Sequence, residues 1–82
     1  MNASAEMTEK IALELVRKYG RLAAKDNAEA AAILGIGKTR LWERSSREMG
    51  DPLRINRTSD GKISFLELAR YSAAAQEMKM AA

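Results

Sequence analysis

The chain has 82 residues, a formal net charge of +3 at neutral pH, and neither cysteine nor histidine. A chain of this length forms one domain that buries about 60% of the surface its unfolded form exposes, so a complex active site is not expected. The absence of cysteine excludes disulfides and cysteine-ligated zinc. We therefore expect a small, non-enzymatic protein without a cofactor.

The net charge lies entirely between Ile36 and Lys62, where seven positive side chains stand against four negative ones. The rest of the chain carries seven of each sign. A local positive excess suits an anionic partner such as nucleic acid. The longest apolar run, residues 30–36, is too short to span a bilayer, and the charged N-terminus lacks the apolar region of a signal peptide. We expect a cytoplasmic, nucleoid-associated protein with no membrane partner.

The chain begins with a segment expected to be flexible, residues 1–7, followed by an amphipathic helix from Thr8 that Gly20 ends or weakens. The apolar stripe of this helix serves either the domain core or an interface with another copy. The core is favoured, because so small a domain needs the buried area. The stripe consists of Ile11, Leu15, Val16, Tyr19 and Leu22.

Residues 26–49 carry the pattern of a helix-turn-helix. Asp26 and Glu29 have the spacing of a capping box at the start of the first helix. Gly35 falls where a helix end favours a left-handed residue, and Gly37 is an acceptable N-cap for the second helix. The apolar residues of the second helix are Leu41, Trp42 and Met49, with Ser45 on the same spacing. We expect Trp42 at the core or its edge, and the alternative is that it stacks on a sugar or base of DNA.

The exposed side of the second helix has the composition of a helix that binds in a DNA groove, with several basic side chains and few apolar ones. The alternative is an ordinary solvated face. The residues of this helix that we expect to contact DNA are Lys38, Thr39, Arg40, Glu43, Arg44 and Arg47.

A two-stranded β-hairpin, or wing, is predicted over residues 53–64. Gly50 and Pro52 stop the preceding helix, and the pair Asp60–Gly61 favours a tight reversal between two short strands. The alternative is a solvated basic loop. The wing residues placed to reach phosphates or a minor groove are Arg54, Arg57 and Lys62. If about six basic residues of the helix and wing touch phosphates, DNA affinity should fall with salt with a log-log slope near −5.

After the wing, Ser64 with Glu67 forms a second capping box and opens a C-terminal helix over residues 65–75. Residues 76–82 form a tail or an extension of that helix. Phe65 and Leu68 are expected to close the core against Leu41 and Ile55. The predicted fold is mainly α: a winged helix-turn-helix domain over residues 8–75, with an extra N-terminal helix.

The segment 56–67 also matches the spacing of a twelve-residue calcium loop. Asn56, Thr58, Asp60 and Glu67 occupy positions one, three, five and twelve, and Gly61 occupies position six. Only two of these ligands would be charged, and helix breakers precede the loop. A calcium-binding interaction module is therefore a remote alternative, and we predict no metal site.

The run EAAAILGIGKTRLW, the proline break, the Leu-Arg-Ile and Lys-Ile-Ser segments and the following helix resemble the excisionases of phages and bacterial mobile elements. These small winged-helix proteins, also called recombination directionality factors, include the related AlpA-like regulators of the MerR-like group. The resemblance covers about residues 26–73. It implies a non-catalytic protein that binds repeated sites on double-stranded DNA, often as several copies, and bends it to promote integrase-mediated excision. Promoter regulation through the same contacts is the alternative role.

Overall fold

A computed structural model describes the backbone of residues 3–81 and the side chains of residues 5–78. Within this range the polypeptide forms four helices: α1 (Ala3–Tyr19), α2 (Asn27–Leu34), α3 (Lys38–Ser45) and α4 (Phe65–Ala81). The two long helices, α1 and α4, pack against each other, and α2 packs against both α3 and α4. The mainly α class predicted from the sequence is therefore right.

The helix boundaries differ from the predicted ones at two places, while α4 shows the helix extension that was one of the two alternatives for residues 76–82. α1 begins at Ala3 rather than at Thr8, and α4 runs from Phe65 to Ala81. α3 ends at Ser45, short of Met49. The Ser45 and Ser46 hydroxyls donate hydrogen bonds to the carbonyls four residues earlier, at 2.9 and 3.0 Å. Such hydroxyls compete with the backbone for helical carbonyls, so α3 stops there.

The turn between α2 and α3 has the predicted form. The Asp26 carboxylate accepts a hydrogen bond from the Glu29 N–H at 2.8 Å and caps α2. Gly35 has φ +69°, and Gly35 and Ile36 donate their N–H groups back to carbonyls of the last turn of α2. This is a glycine-dependent helix end. Gly37 is extended and precedes α3, so the two helix starts and the turn between them are confirmed.

The predicted wing is wrong, because residues 3–81 contain no β-strand. The segment around Ile63 finds its backbone partner in the loop after α1. Ala24 donates to the Ile63 carbonyl at 2.9 Å, and Phe65 donates to the Leu22 carbonyl at 2.8 Å. These two bonds flank an isolated antiparallel bridge between Ala23 and Ser64. The second predicted strand therefore ties the start of α4 to the end of α1.

The N–H groups of Ile55 and Asn56, in the first predicted strand (residues 53–56), donate to α3 and α4 instead of to a second strand. Ile55 donates to the Arg44 carbonyl at 3.1 Å, and Asn56 donates to the Glu67 carboxylate at 2.8 Å. The tight reversal is nevertheless present, since the Thr58 N–H bonds to the Lys62 carbonyl at 2.7 Å. Residues 46–64 thus form a long folded loop between α3 and α4, and the winged helix-turn-helix is corrected to a helix-turn-helix without a wing.

The core lies where α4 crosses the other elements. Its fully buried large side chains are Leu41, Ile55, Ile63, Phe65 and Leu68. The sequence predicted a core closed by four of these: Leu41, Ile55, Phe65 and Leu68. Leu15, Val16 and Tyr19 of the α1 stripe pack against them, and the rings of Tyr19 and Phe65 lie 5.3 Å apart. Three of the five predicted stripe residues therefore contribute to the core.

Three predicted apolar positions are exposed instead. Leu22 is 74% exposed because α1 ends at Tyr19 and the chain leaves the helical stripe. Met49 is 83% exposed because α3 has already ended. Trp42 is 69% exposed, because it lies about 100° around the helix from the buried Leu41. The placement of Trp42 at the core or its edge is wrong.

Candidate nucleic-acid interface

The first turn of α3 presents three polar side chains to solvent. Lys38, Thr39 and Arg40 are all exposed, while Leu41 anchors the helix in the core. Trp42 lies one turn beyond Lys38 on the same side of the helix. A short helix held at one buried position, with cations and an aromatic ring facing water, can approach a polyanion without disturbing the fold.

A shallow depression of about 500 Å³ lies at the N-terminal end of α3, lined by Gly37, Thr39, Arg40 and Glu43. Gly37 adds no side chain, so the backbone at the helix start is accessible there. Glu43 forms the acidic edge of the depression. Its carboxylate accepts from Arg47 Nε at 3.1 Å and lies 3.4 Å from Arg44 Nη1.

Arg47 is committed to ion pairs within the fold. Besides Glu43, it contacts the Asp51 carboxylate at 3.1 Å, and these partners raise the pKa of Arg47. The pKa of Asp51 is lowered, first by the hydrogen bond from the Leu53 N–H and then by Arg47. Arg47 therefore braces the end of α3 against the loop that follows.

Two of the predicted wing cations also hold the loop together. Arg54 donates to the Asn56 side chain at 2.9 Å and to the Arg47 carbonyl. Arg57 donates to the Asn27 side chain at 2.9 Å and to the Gly61 carbonyl at 3.0 Å, so it links the loop to the start of α2. These hydrogen bonds hold both guanidiniums against the protein.

The Arg44 side chain is mostly buried. It is only 19% exposed, and its Nε is buried without a hydrogen-bond partner among the described residues. The Arg44 carbonyl accepts the Ile55 N–H. An unsatisfied buried donor is costly, and the ion-pair contact of the Arg44 side chain is the one between its Nη1 and Glu43 at 3.4 Å.

Among the described residues, three of the predicted DNA-contacting cations are exposed and outside the ion pairs. They are Lys38 and Arg40 on α3 and Lys62 in the loop before α4. Lys38 and Arg40 lie together in one helical turn with Thr39. The structure thus concentrates the available positive charge of the predicted set on the first turn of α3.

Sequence reasoning missed the residue that organises the long loop. Arg70 on α4 donates to the carbonyls of Pro52, at 2.9 Å, and Arg54. It also forms a two-pronged pair with Glu67, and both contacts with Glu67 measure 2.8 Å. The spacing of Glu67 and Arg70, three residues apart on a helix, was the available signal.

The segment that matches a calcium loop is held by its own hydrogen bonds. Glu67 accepts from the Asn56 backbone and side-chain amides at 2.8 and 3.0 Å, and from Arg70. Asp60 accepts from the Thr58 hydroxyl, which lowers the pKa of Asp60. The described part of the chain contains no group of three or more Asp, Glu, His or Cys side chains that could hold a metal. Each matching residue has a structural partner.

Comparison with known protein families, curated proteins and solved structures finds no match for this chain. None of the helices in residues 3–81 combines the length and the apolar character needed to cross a membrane.

Proposed function

We propose that this protein binds double-stranded DNA through the first turn of α3 and acts as an excisionase-like factor. The observation that carries the proposal is that Lys38, Thr39 and Arg40 are all exposed in the first turn of α3, with the exposed Trp42 one turn beyond Lys38. The remaining arginines of the predicted site have partners inside the protein or are drawn into it.

The dimensions of α3 suit this role. An eight-residue helix is about 12 Å long, and the major groove is about 12 Å wide, so the N-terminal turn can enter the groove end-on or at an angle. Lys38 and Arg40 would then contact phosphates or guanine edges, and Thr39 a base edge or phosphate. Trp42 would pack its ring against a sugar or a base at the groove wall.

The biological role in this proposal comes from the resemblance of the α2–α3 sequence to excisionases. Such a factor binds repeated sites beside an integrase and promotes excision, and it would lie in the nucleoid. Regulation of a promoter is the alternative role, since the contacts to DNA are the same. The position of the binding sites separates the two: beside an attachment site for excision, or over a promoter for regulation.

The direct test uses the single tryptophan of the chain as a reporter. Duplex DNA should change the emission of Trp42 in a saturable way, and K38A/R40A should weaken binding at least about tenfold. The control K10A/K18A removes the same charge from α1 and should bind as the wild type does. Equal losses of DNA affinity in both variants would mean that the protein binds only by nonspecific charge attraction. An unchanged DNA affinity of K38A/R40A would refute binding through α3.

The role is tested by mobility shift with DNA flanking the gene, in the presence of calf-thymus competitor. A ladder of discrete complexes on repeated sites is expected for an excisionase-like factor. A single complex over a promoter would favour regulation instead.

A further inference from the structure

An apolar groove runs along the outer side of α1. Ala12, Leu13 and Val16 form one wall, and Leu66 at the start of α4 forms the other; the groove measures about 460 Å³. Leu13 is 51% exposed and Leu66 is 62% exposed. Two adjacent, half-exposed leucines form an exposed apolar patch, which is typical of a surface that a partner covers.

The charges around Leu13 indicate that the partner is a second copy of this chain. Glu9 lies one turn before Leu13 and Arg17 one turn after it, and each points within about 40° of Leu13 on the helix. Both charged side chains are exposed, and neither takes part in an ion pair among the described residues. The outer face of α1 therefore carries one charge of each sign, placed symmetrically about an exposed leucine.

We propose that α1 forms an antiparallel, two-fold symmetric dimer with α1 of a second copy, centred on Leu13. A two-fold axis through Leu13 places Glu9 of each copy opposite Arg17 of the other, which gives two ion pairs. The two Leu13 side chains meet at the axis, and each can enter the groove beside Leu66. A parallel arrangement would place Glu9 against Glu9 and Arg17 against Arg17, so the charges select the antiparallel one.

The interface is small. α1 is about 25 Å long, and a single pair of such helices buries less than the roughly 800 Å² per partner of a standard stable complex. We therefore expect dissociation in the micromolar range or weaker. Dimerisation through this seam needs no DNA, so it stands apart from the proposed DNA-binding function and is measured without it.

The test is a charge swap followed by sedimentation equilibrium, from about 10 µM to about 1 mM protein. The variants E9R and R17E each replace two attractive contacts by repulsive ones and should weaken dimerisation about tenfold. Mixing E9R with R17E should restore it, because both heterodimer contacts are then attractive. The double variant E9R/R17E should also dimerise, since the swap reverses both partners.

Two controls separate this seam from general effects. E14R makes the same charge change as E9R on α1, but about 100° away from Leu13, and should leave dimerisation unchanged. L13A should weaken it at least about tenfold, whereas L22A truncates a more exposed leucine outside the groove and should not. A wild-type protein that stays monomeric at about 1 mM would overturn the proposal. Failure of the E9R and R17E mixture to restore dimers would overturn the antiparallel arrangement.

Discussion

The Arg21 guanidinium holds the Glu29 carboxylate between its two terminal nitrogens, at 2.5 Å from Oε1 and 2.6 Å from Oε2. The same guanidinium lies 5.2 Å from the Tyr19 ring and 5.6 Å from the Phe65 ring. It also donates to the Ala23 carbonyl at 2.7 Å. The planar fork of arginine matches a carboxylate and stacks on aromatic rings, so this one side chain joins the end of α1, the start of α2 and the core.

This pair should make the stability of the fold sensitive to acid. The hydrogen bonds from Arg21 lower the pKa of Glu29 from an ordinary 4.5 to about 2. A carboxylate with a lowered pKa in the folded state stabilises the fold above its unfolded pKa and stops doing so as the pH falls through its folded pKa. We expect the wild type to lose this contribution between about pH 5 and pH 2.

Urea unfolding of E29Q across that pH range checks the prediction. E29Q should be less stable than the wild type at pH 6, and most of the difference should be lost near pH 2, where about half of Glu29 in the folded wild type is protonated. E14Q removes an exposed carboxylate outside the ion pairs and controls for net charge. A gap between E29Q and the wild type that stays constant with pH would show that the ionised carboxylate contributes nothing.

The helix ends of this protein could be predicted from the sequence because their chemistry is local. Asp26, Gly35 and Ser64 each act on backbone groups within four residues, and all three lie in the predicted roles. The buried positions of Leu41 and Phe65 followed from helical spacing for the same reason. Such signals involve neighbours in the chain, which a sequence displays directly.

The sequence could not show that the wing is absent or which cations stay unpaired. Both depend on partners that are distant in the chain. The Ile63 segment alternates like a strand, but the better partner for its backbone lies some forty residues earlier, beside Ala24. Likewise, Arg57 looks available for DNA until the fold brings Asn27 within 2.9 Å. A basic residue contributes to a nucleic-acid site only when no acceptor inside the protein competes for it.

Gly35 and Gly37 offer a matched pair of substitutions in the turn before α3. Gly35 has φ +69°, while Gly37 has φ −77°, and an added Cβ would meet no atom within 4 Å at either position. G35A should therefore destabilise the fold by about 1 kcal/mol through backbone strain alone, and G37A should change stability by less than about 0.5 kcal/mol.

Thermal unfolding measures the two glycine variants. A loss of about 1 kcal/mol corresponds to a Tm lowered by about 4–8 °C in a domain of this size. Equal Tm values for G35A and G37A would mean that the left-handed residue is not required at the end of α2.

The salt dependence of DNA affinity distinguishes the three phosphate contacts expected from the structure from the six expected from the sequence. Three exposed cations, Lys38, Arg40 and Lys62, predict a log-log slope of about −3 for DNA affinity, in place of the value near −5 for six contacts. R40A should reduce the magnitude of the slope by about 1. R57A should leave the slope unchanged, because its guanidinium is bonded to Asn27 and Gly61. A wild-type slope near −5 would mean that the bonded arginines change partners on DNA.

Substitutions of Arg44 test whether this residue stabilises the fold or contacts DNA. Its side chain is largely buried and its Nε lacks a partner among the described residues, so R44M should fill the same space and remove the unsatisfied donor, while losing the 3.4 Å contact between Nη1 and Glu43. We expect R44M to be at least as stable as the wild type and R44A to be less stable, by about 1–3 kcal/mol. R44M should bind DNA with unchanged sequence preference. If R44M instead loses discrimination between bases while keeping its Tm, Arg44 must leave its packed position to contact a base.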